Sequence, residues 1–230
     1  MIKILMNGCN GKMGQVITKI VADTDDCEIV GGVDINDNIK NTYPVYKSIT
    51  DFEGKADVII DFSHPSTLTS VLDYAKASQT PAIICTTGLS AEQRQEIVDA
   101  SRDVAMFFSA NMSLGVNLII DLVTKAAKIL ENNFDIEIIE KHHNQKIDAP
   151  SGTALAIADA IAETLSTKPE YVYDRHSVRK KREKREIGIH SIRGGSIVGE
   201  HEVLFAGVDE VIEIKHTAYS RSIFAKGAFE

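Results

Sequence analysis

Cysteine and long apolar runs are scarce in this chain, and each of these two scarcities narrows the class of protein. The 230 residues include three cysteines and no tryptophan. Cys9, Cys27 and Cys85 are odd in number and lack CxxC spacing, which indicates reduced thiols in a cytoplasmic protein. No apolar run reaches the ~20 residues that a membrane span requires, and residues 1–8 lack the apolar core of a signal peptide. The sequence therefore predicts no membrane partner.

Positive charge is also in deficit. The chain has 25 lysines and arginines against 33 aspartates and glutamates, a net charge of −8. A global basic footprint for nucleic acid is absent, so nucleic acid is not expected as a partner. The one dense charged run, residues 175–186, has two interpretations: a solvated loop, or a local patch for a polyanion. Apolar residues at 43% and charged residues at 25% are ordinary for a globular protein.

Several catalytic motifs are missing as well. The sequence has no GxSxG, no HExxH, no Walker GxxxxGK[ST] and no paired CxxC, so nucleophilic hydrolysis has no support. The adjacent His142 and His143 would face opposite sides of a strand, and no third ligand stands at metal spacing. We therefore expect no metal site.

Strand and helix patterns alternate through the first half of the chain. Strands are predicted at residues 2–6, 28–33, 58–62, 82–86 and 104–108, and helices at 15–22, 65–77 and 91–100. Ser90 with Gln93 forms a capping box before the last of these helices. The alternation predicts a parallel sheet with helices on both faces, which is an α/β fold of the Rossmann type.

The pattern changes at about residues 111–115. A long helix is predicted at 115–130, followed by strands at 135–142, 187–192, 199–206 and 211–217, with one helix at 154–165 between them. Strands clustered in this way indicate a second, α+β domain built on a mixed or antiparallel sheet.

A glycine-rich turn follows the first predicted strand. Gly8, Gly11 and Gly14 leave room for a pyrophosphate, and the next helix would offer it unpaired N–H groups. Asp34 stands 20 residues beyond Gly14, at the end of the second strand, where a carboxylate can accept both ribose hydroxyls of NAD. Residues 35–38 contain no Arg or Lys for a 2′-phosphate, so NADH is favoured, unless Lys12 reaches that phosphate. The alternative for Asp34 is a residue that closes the turn.

The segment 140–154 concentrates cationic groups in an acidic protein. His142, His143 and Lys146 precede a turn and the start of a helix, where the N–H groups of Gly152 and Thr153 would face outward. Such a cluster suits a carboxylate ligand. The alternatives are an ordinary N-cap at Ser151 or Thr153, and a loop charge at Lys146.

These residues resemble one family along the whole chain. The matching segments are Gly8-x-x-Gly11-Lys12-Met13-Gly14, Thr86-Thr87-Gly88, Asn111-x-Ser113-x-Gly115-Val116-Asn117, the segment from Glu137 through His142-His143, Lys146 and Asp148-Ala149-Pro150-Ser151-Gly152-Thr153-Ala154, and Ser191 to His201. The chain is similar to the dihydrodipicolinate reductases, also called 4-hydroxy-tetrahydrodipicolinate reductases.

The resemblance implies an activity and its residues. The family reduces 4-hydroxy-tetrahydrodipicolinate, via dihydrodipicolinate, to tetrahydrodipicolinate with NADH or NADPH, in the diaminopimelate route to lysine. His142 and Lys146 would be catalytic, and His143, Gly152 and Thr153 would bind the dicarboxylate substrate. The cofactor-binding residues would be Gly8, Cys9, Asn10, Gly11, Lys12, Met13, Asp34, Cys85, Thr86, Thr87, Ser109, Ala110, Asn111 and Met112.

The resemblance also implies domain boundaries and an assembly. Residues 1–112 and 221–230 would form the dinucleotide-binding domain, and residues 113–220 the substrate-binding and oligomerisation domain of a homotetramer. Cys85 and Met112 replace the glycine and the aromatic residue more usual in the family, which is expected to alter packing against the nicotinamide. Family members usually continue with a C-terminal helical segment past the position of Glu230.

Two other functions are kept as alternatives. One is a related two-domain NAD(P) oxidoreductase acting on an amino-acid semialdehyde or a sugar, against which the segment 146–153 argues. The other is a redox-sensing protein that binds the cofactor without catalysis. Turnover of the dicarboxylate substrate separates the three.

Overall fold

The computed structural model describes residues 1–220 and 222–229, which form two compact units. Unit 1 holds Met1–Met112 and residues 222–229, and unit 2 holds Ser113–Ser220. Residues 221 and 230, which the sequence analysis assigns to the dinucleotide-binding domain, lie outside the described residues. No helix within the described ranges is both long and apolar enough to cross a bilayer.

Unit 1 is built on a parallel sheet of six strands in the order β3-β2-β1-β4-β5-β6. The strands are β1 (Ile2–Asn7), β2 (Cys27–Val33), β3 (Val45–Tyr46), β4 (Val58–Asp61), β5 (Ala82–Ile84) and β6 (Met106–Phe108). The helices between them are α1 (Lys12–Ala22), α2 (Leu68–Ser78) and α3 (Ala91–Ala100). Two buried clusters, around Leu5 and Ile59 and around Met6 and Ile17, form its core. The predicted α/β fold with a parallel sheet is confirmed.

The first helix starts earlier than predicted. α1 begins at Lys12, so the expected start at residue 15 is wrong by three residues. Gly14 explains the difference, because without a Cβ it packs on the backbone of Gly8 and Cys9 inside the first turn. Apolar periodicity does not register this turn, since Lys12 is exposed and Gly14 has no side chain, which leaves Met13 as the one apolar side chain of the turn that packs on the core. The Ser90–Gln93 capping box is present at α3 as predicted.

Unit 2 is built on a mixed sheet of five strands in the order β11-β10-β7-β9-β8. The strands are β7 (Asp135–His142), β8 (Glu170–Val172), β9 (Glu186–Arg193), β10 (Gly199–Ala206) and β11 (Val211–Ala218). β10 runs antiparallel to β7 and β11, while β9 runs parallel to β7 and β8. The helices are α4 (Leu114–Leu130) and α5 (Gly152–Thr164). Val123, Ile138, Ile157 and Phe205 are fully buried between the helices and the sheet.

The helix-facing side of β7 changes character along its length. Ile136 and Ile138 are buried apolar residues near its start, whereas Glu140 and His142 are buried ionisable residues at its end. Side chains of a strand alternate between faces, so all four point the same way. Buried ionisable groups need partners. The end of β7 is therefore the position in unit 2 where a functional site is expected.

The dense charged run is an exposed loop, as one of its two interpretations predicts, and several of its cations are paired with acids. Arg175 and Arg182 both bind Glu137, on the open face of β7. Arg175 also binds the buried carboxylate of Glu186, and Lys184 lies 3.5 Å from Asp135. Much of its positive charge is thus paired with acids of the sheet, which disfavours the alternative of a patch for a polyanion.

The short elements β3, β8 and α6 (Ser222–Lys226) were not predicted, because two to five residues carry no periodicity.

Candidate active site

The turn after β1 is shaped by glycines that leave no room for side chains. Gly8 has a φ of +79°, a region that L side chains rarely adopt, and a Cβ built there lies 2.5 Å from the Phe62 carbonyl oxygen. A Cβ at Gly14 lies 2.2 Å from the carbonyl oxygen of Gly8. The chain therefore turns from β1 into α1 in the tight manner that lets backbone approach a phosphate.

The start of α1 is open to an anion. Its N-cap, Gly11, provides no side-chain acceptor, and its first turn contains no acidic residue. Helices α3, α4 and α5 differ, because a serine side chain caps each of them. The N–H groups at the start of α1 thus combine with the positive end of the helix dipole. This set of donors fits the pyrophosphate of a dinucleotide.

Asp34 follows β2 and is bound to the glycine loop. Its Oδ2 accepts from the backbone N–H of Asn10 at 2.9 Å, and its Oδ1 accepts from that of Asn36 at 2.9 Å. Each carboxylate oxygen retains a second lone pair. Asp34 therefore closes the turn after β2, as one interpretation expects, and it also presents a carboxylate beside the glycine loop. Its contact with a ribose stays a prediction.

One cation near Asp34 was missed by the sequence analysis. Lys47, which directly follows β3, binds Asp37 Oδ2 at 2.8 Å and the carbonyl oxygen of Ile35 at 2.9 Å. Residues 35–38 lack Arg and Lys, but the pairing of β2 with β3 brings Lys47 to the same turn. A parallel strand pairing of this kind is a long-range contact that local sequence does not register.

The other predicted cofactor residues follow β5 and β6. Because the carboxyl ends of neighbouring parallel strands meet at one edge, these residues share the edge with the glycine loop. The side chains of Cys9, Cys85 and Met112 are buried in the core, so these three can border that edge through backbone only. Burial, with the nearby charge of Asp34, raises the pKa of Cys9 to about 12, which makes this thiol unreactive. Lys12, Thr87 and Ala110 are exposed.

A buried polar network underlies the same edge. Asp61 is fully buried at the end of β4 and accepts hydrogen bonds from Asn7 Nδ2 at 2.8 Å, Ser63 Oγ at 2.5 Å and Thr86 Oγ1 at 2.7 Å. No Lys or Arg in the described ranges forms an ion pair with it. Burial raises the pKa of Asp61, and the hydrogen bonds oppose that rise only in part. The network joins the ends of β1, β4 and β5.

In unit 2, His142 is hydrogen-bonded to a buried carboxylate. Its Nδ1 lies 2.6 Å from Oε2 of Glu140, which is fully buried two residues earlier on β7. Burial opposes ionisation of Glu140, but hydrogen bonds from His142, Arg193 and Ser191 outweigh it and hold the pKa well below its usual range. The carboxylate is therefore ionised and faces a histidine ring, the arrangement that orients an acid–base group.

Arg193 completes this cluster from the end of β9. Its NH1 donates to Glu140 Oε2 and its NH2 to Glu140 Oε1, each at 2.7 Å, which is the bidentate geometry that arginine makes with carboxylates. NH2 also donates to the carbonyl oxygen of Asp148 at 2.6 Å. Neither Glu140 nor Arg193 was predicted from the sequence as a site residue. The sequence does contain a Glu-x-His pattern, Glu140-Lys141-His142, on a predicted strand. The partner of Glu140, Arg193, lies 53 residues away, where local sequence does not reveal it.

The turn after β7 holds the remaining predicted residues. Lys146 binds Asp148 Oδ1 at 2.8 Å. Ser151, and not Thr153, is the N-cap of α5, because its Oγ accepts from the N–H of Ala154 at 3.2 Å. The space beside Gly152 is open, with no atom within 4 Å of a Cβ built there. His143 lies just past the end of β7 and is partly buried. The structure thus brings His142, Lys146 and the start of α5 into one region of unit 2.

Two further histidines lie along the same sheet face. The His201 ring is 5.2 Å from that of His142 in an edge-on arrangement, and its Nε2 lies 3.0 Å from Ser151 Oγ. Burial, and then the charge of His142, lowers the pKa of His201 to about 4, so His201 is neutral. His216 pairs with His201 across β10 and β11. In the part of the chain that the structure describes, no group of three or more His, Cys, Asp or Glu residues is arranged for a metal ion.

Fold and site together define a class of protein. A parallel-sheet unit with a glycine turn and an uncapped first helix, followed by a mixed-sheet unit with a histidine–carboxylate pair, is typical of oxidoreductases that use a nicotinamide dinucleotide. The sequence family "Dihydrodipicolinate reductase, N-terminus" matches residues 2–112, and "Dihydrodipicolinate reductase, C-terminus" matches residues 115–230. The chain belongs to the dihydrodipicolinate reductase family, which confirms the resemblance found in the sequence.

Individual relatives agree with that assignment. The 4-hydroxy-tetrahydrodipicolinate reductase of Clostridium tetani is 51% identical over 230 residues, covering 100% of this chain and 90% of that protein. The solved dipicolinate-bound dihydrodipicolinate reductase from Paenisporosarcina sp. TG-14 has a TM-score of 0.81 at 28% identity, covering 100% of this chain and 92% of that one. GenD2 from gentamicin A biosynthesis, solved with NAD, has a TM-score of 0.61 at 12% identity, covers 93% of this chain and 72% of its own, and shares the fold.

Proposed function

We propose that this chain is a 4-hydroxy-tetrahydrodipicolinate reductase, which forms tetrahydrodipicolinate, via dihydrodipicolinate, in the diaminopimelate route to lysine. The 51% sequence identity to the Clostridium tetani enzyme, which extends over the whole of this chain, supports the proposal. The observation that carries it is the 2.6 Å hydrogen bond between His142 Nδ1 and the buried carboxylate of Glu140, beside the start of α5. This site combines a proton-exchanging ring with groups suited to a dicarboxylate.

The chemistry requires water loss, hydride addition at the 4-position of the ring, and a proton. A nicotinamide dinucleotide, when bound, supplies the hydride. Hydride addition to a conjugated imine leaves an enamine-like anion that must be protonated. In this proposal His142 donates that proton, since an imidazole side chain can act as a general acid. Lys146 assists by protonation or by binding the substrate carboxylate.

The dianionic substrate is held by cations and amide dipoles. His143 and the N–H groups of Gly152 and Thr153 bind its carboxylates, with the positive end of α5 behind them. The relative from Paenisporosarcina sp. TG-14 was solved with dipicolinate, a dicarboxylate of the same shape class. A cyclic dicarboxylate is accordingly the substrate class that we assign to unit 2.

The cofactor binds along the carboxyl edge of the unit 1 sheet. Gly8 to Met13 hold the pyrophosphate, and Thr86, Thr87 and residues 109–112 hold the nicotinamide end. Asp34 favours NADH, because a carboxylate accepts the ribose hydroxyls and repels a 2′-phosphate. Lys12 and Lys47 are the two cations that would reverse this choice. Lys47 is engaged by Asp37, which supports NADH.

The assembly proposed is a cytoplasmic homotetramer formed through unit 2. Three free, buried thiols, Cys9, Cys27 and Cys85, suit a reducing compartment. The open face of the unit 2 sheet carries exposed Val211 and Ile192 among its charged residues, which supports its use as a subunit contact. Light scattering tests the tetramer, and a monomer at micromolar concentration would contradict it.

A steady-state assay tests the function. The condensation product of pyruvate and aspartate semialdehyde is added to enzyme with NADH or with NADPH, and absorbance of the reduced cofactor is followed. We expect oxidation that depends on the condensation product, with NADH used at least as well as NADPH. Binding of NADH without turnover would favour the redox-sensing alternative. Turnover with a semialdehyde or a sugar alone would favour the other oxidoreductase. A strong NADPH preference would refute the inference from Asp34.

A further inference from the structure

A buried pair of opposite charges stands behind His142. Glu140 is fully buried, and Arg193 binds both of its oxygens at 2.7 Å. We propose that Glu140 and Arg193 are positioning residues for the reduction, which together fix the orientation of the His142 ring and the start of α5. The proposal rests on the proposed function for what the ring is positioned to do.

The protonation of the His142 ring follows from its partner. An ionised carboxylate can only accept hydrogen bonds, so Nδ1 at 2.6 Å from Glu140 Oε2 must carry a proton. Nε2 is then the nitrogen left to exchange a proton with a ligand. Gly199 keeps this nitrogen uncovered, because a Cβ at that residue would lie 3.2 Å from Nε2. The Glu140 carboxylate thus determines that Nε2, and not Nδ1, is the ring nitrogen available for proton exchange.

The same two residues hold the neighbouring backbone. Glu140 Oε1 accepts from the N–H of Ser151 at 3.1 Å, just before α5 begins. Arg193 donates to the carbonyl oxygen of Asp148 at 2.6 Å, in the turn that carries Lys146. Ring, helix start and turn are therefore anchored to one ion pair. A shift of the pair would displace all three together.

Arg193 has a second role, which is to offset the free-energy cost of burying the Glu140 carboxylate. A buried charge is stable only when it is paired and its remaining lone pairs are filled. Glu140 receives the guanidinium fork, the His142 ring and a backbone N–H. Lysine at residue 193 would keep the charge but lose the two-pronged contact.

Strand β7 also contains a matched control. Glu137 accepts from His190 at 2.8 Å and from Arg182 at 2.9 Å, so it has the same kinds of partner as Glu140. It lies on the opposite face of the strand, because the two residues are an odd number of positions apart. Neutralising Glu137 removes an equivalent cluster without touching His142.

The test compares Glu140→Gln with Glu137→Gln. Glutamine keeps the shape of the side chain but directs an N–H group toward other donors. We expect Glu140→Gln to lower kcat by ~100-fold or more and to weaken dipicolinate binding ~10-fold, while NADH affinity in unit 1 is unchanged. In NMR spectra we expect a slowly exchanging Nδ1 proton on His142 in the unaltered chain and in Glu137→Gln, and we expect its loss in Glu140→Gln. A folded Glu140→Gln with unchanged kcat and an unchanged Nδ1 signal would overturn the proposal.

A second variant covers failure to fold. Arg193→Lys keeps Glu140 paired, and we expect ~10-fold loss in kcat together with a shifted Nδ1 signal. Unchanged kcat and signal in this variant would overturn the positioning role. Failure of the proposed function has a different signature, namely no turnover by the unaltered chain. The Nδ1 signal and dipicolinate affinity would still measure positioning in that case.

Discussion

The side-chain amide of Asn7 donates to Asp61 Oδ1 at 2.8 Å, linking the ends of β1 and β4. Asp61 also accepts from Thr86 Oγ1 at 2.7 Å, beyond the end of β5. One buried carboxylate thereby connects the glycine loop, which begins at Gly8, with the segment proposed to hold the nicotinamide. The geometry of the cofactor edge depends on this carboxylate, since loops at strand ends have few other fixed contacts.

Asp61→Asn should therefore weaken dinucleotide binding. The asparagine amide would place a donor where Asn7, Ser63 and Thr86 all donate, so at least one buried group would lose its partner. We expect the Kd for NADH to rise ~10-fold or more, with ~1–3 kcal/mol lost from the free energy of unfolding. Fluorescence titration and denaturant unfolding measure the two quantities. Asp57→Asn, at an exposed position next to β4, is the control, and equal behaviour of the two variants would contradict the prediction.

Gly8→Ala should abolish tight binding of the dinucleotide. Alanine is strained at a φ of +79°, and its Cβ would overlap the Phe62 carbonyl oxygen 2.5 Å away. The loop must move, and its N–H groups move with it. We expect at least ~10-fold weaker NADH binding by titration. Gly194→Ala provides the comparison, because nothing lies within 4 Å of a Cβ there, and a loss of affinity in that variant would argue against the steric explanation.

His142→Gln should lower turnover without lowering cofactor affinity. Glutamine cannot deliver a proton, so we expect kcat to fall ~100-fold or more, the usual range for a lost acid–base group. Steady-state kinetics and NADH titration separate the two effects. His176→Gln, in an exposed part of the charged run, should behave as the unaltered protein. An unchanged kcat in His142→Gln would remove this residue from proton transfer.

Stability should fall in mild acid because of His201. Its pKa is about 4 in the folded protein and ~6.5 when unfolded, so between these values the unfolded chain binds the extra proton. Stability from this group is complete above about pH 6.5 and is lost as the pH falls toward 4. The loss amounts to about 3 kcal/mol between about pH 7 and about pH 4.

Denaturant unfolding of His201→Gln checks this assignment. The variant lacks the titrating group, so its unfolding free energy should decline over the same pH interval by about 3 kcal/mol less than that of the unaltered protein. His176→Gln should retain the steep decline of the unaltered chain. Parallel pH dependence in the unaltered protein and His201→Gln would assign the acid sensitivity to other groups, such as the carboxylates of Glu137 and Glu140, whose pKa values are lowered.

The sequence was most informative where a pattern is local. Alternating strands and helices in residues 1–112, and the change of pattern near residue 113, follow from hydrophobic periods of about 2 and 3.6 residues. The helix start at Ser90 follows from a side-chain oxygen that accepts a nearby N–H group, whereas the sequence left Ser151 and Thr153 open as the cap of α5, which begins at Gly152, two residues before the predicted start. The start of α1 was misplaced because its first turn packs on glycine backbone. Strands of two or three residues, such as β3 and β8, carry too few side chains to show a period.

By itself, the sequence determined the family and the two kinds of sheet, and it singled out candidate residues for the chemistry, because glycines, histidines and caps act through their own backbone and near neighbours. Tertiary structure alone decided which groups form hydrogen bonds and ion pairs with those residues. Glu140 and Arg193 are 53 positions apart and meet through pairing of β7 with β9, as Asn7 and Asp61 do through β1 and β4. Ion pairs and buried hydrogen bonds depend on distances of about 3 Å, which strand pairing sets and sequence spacing does not.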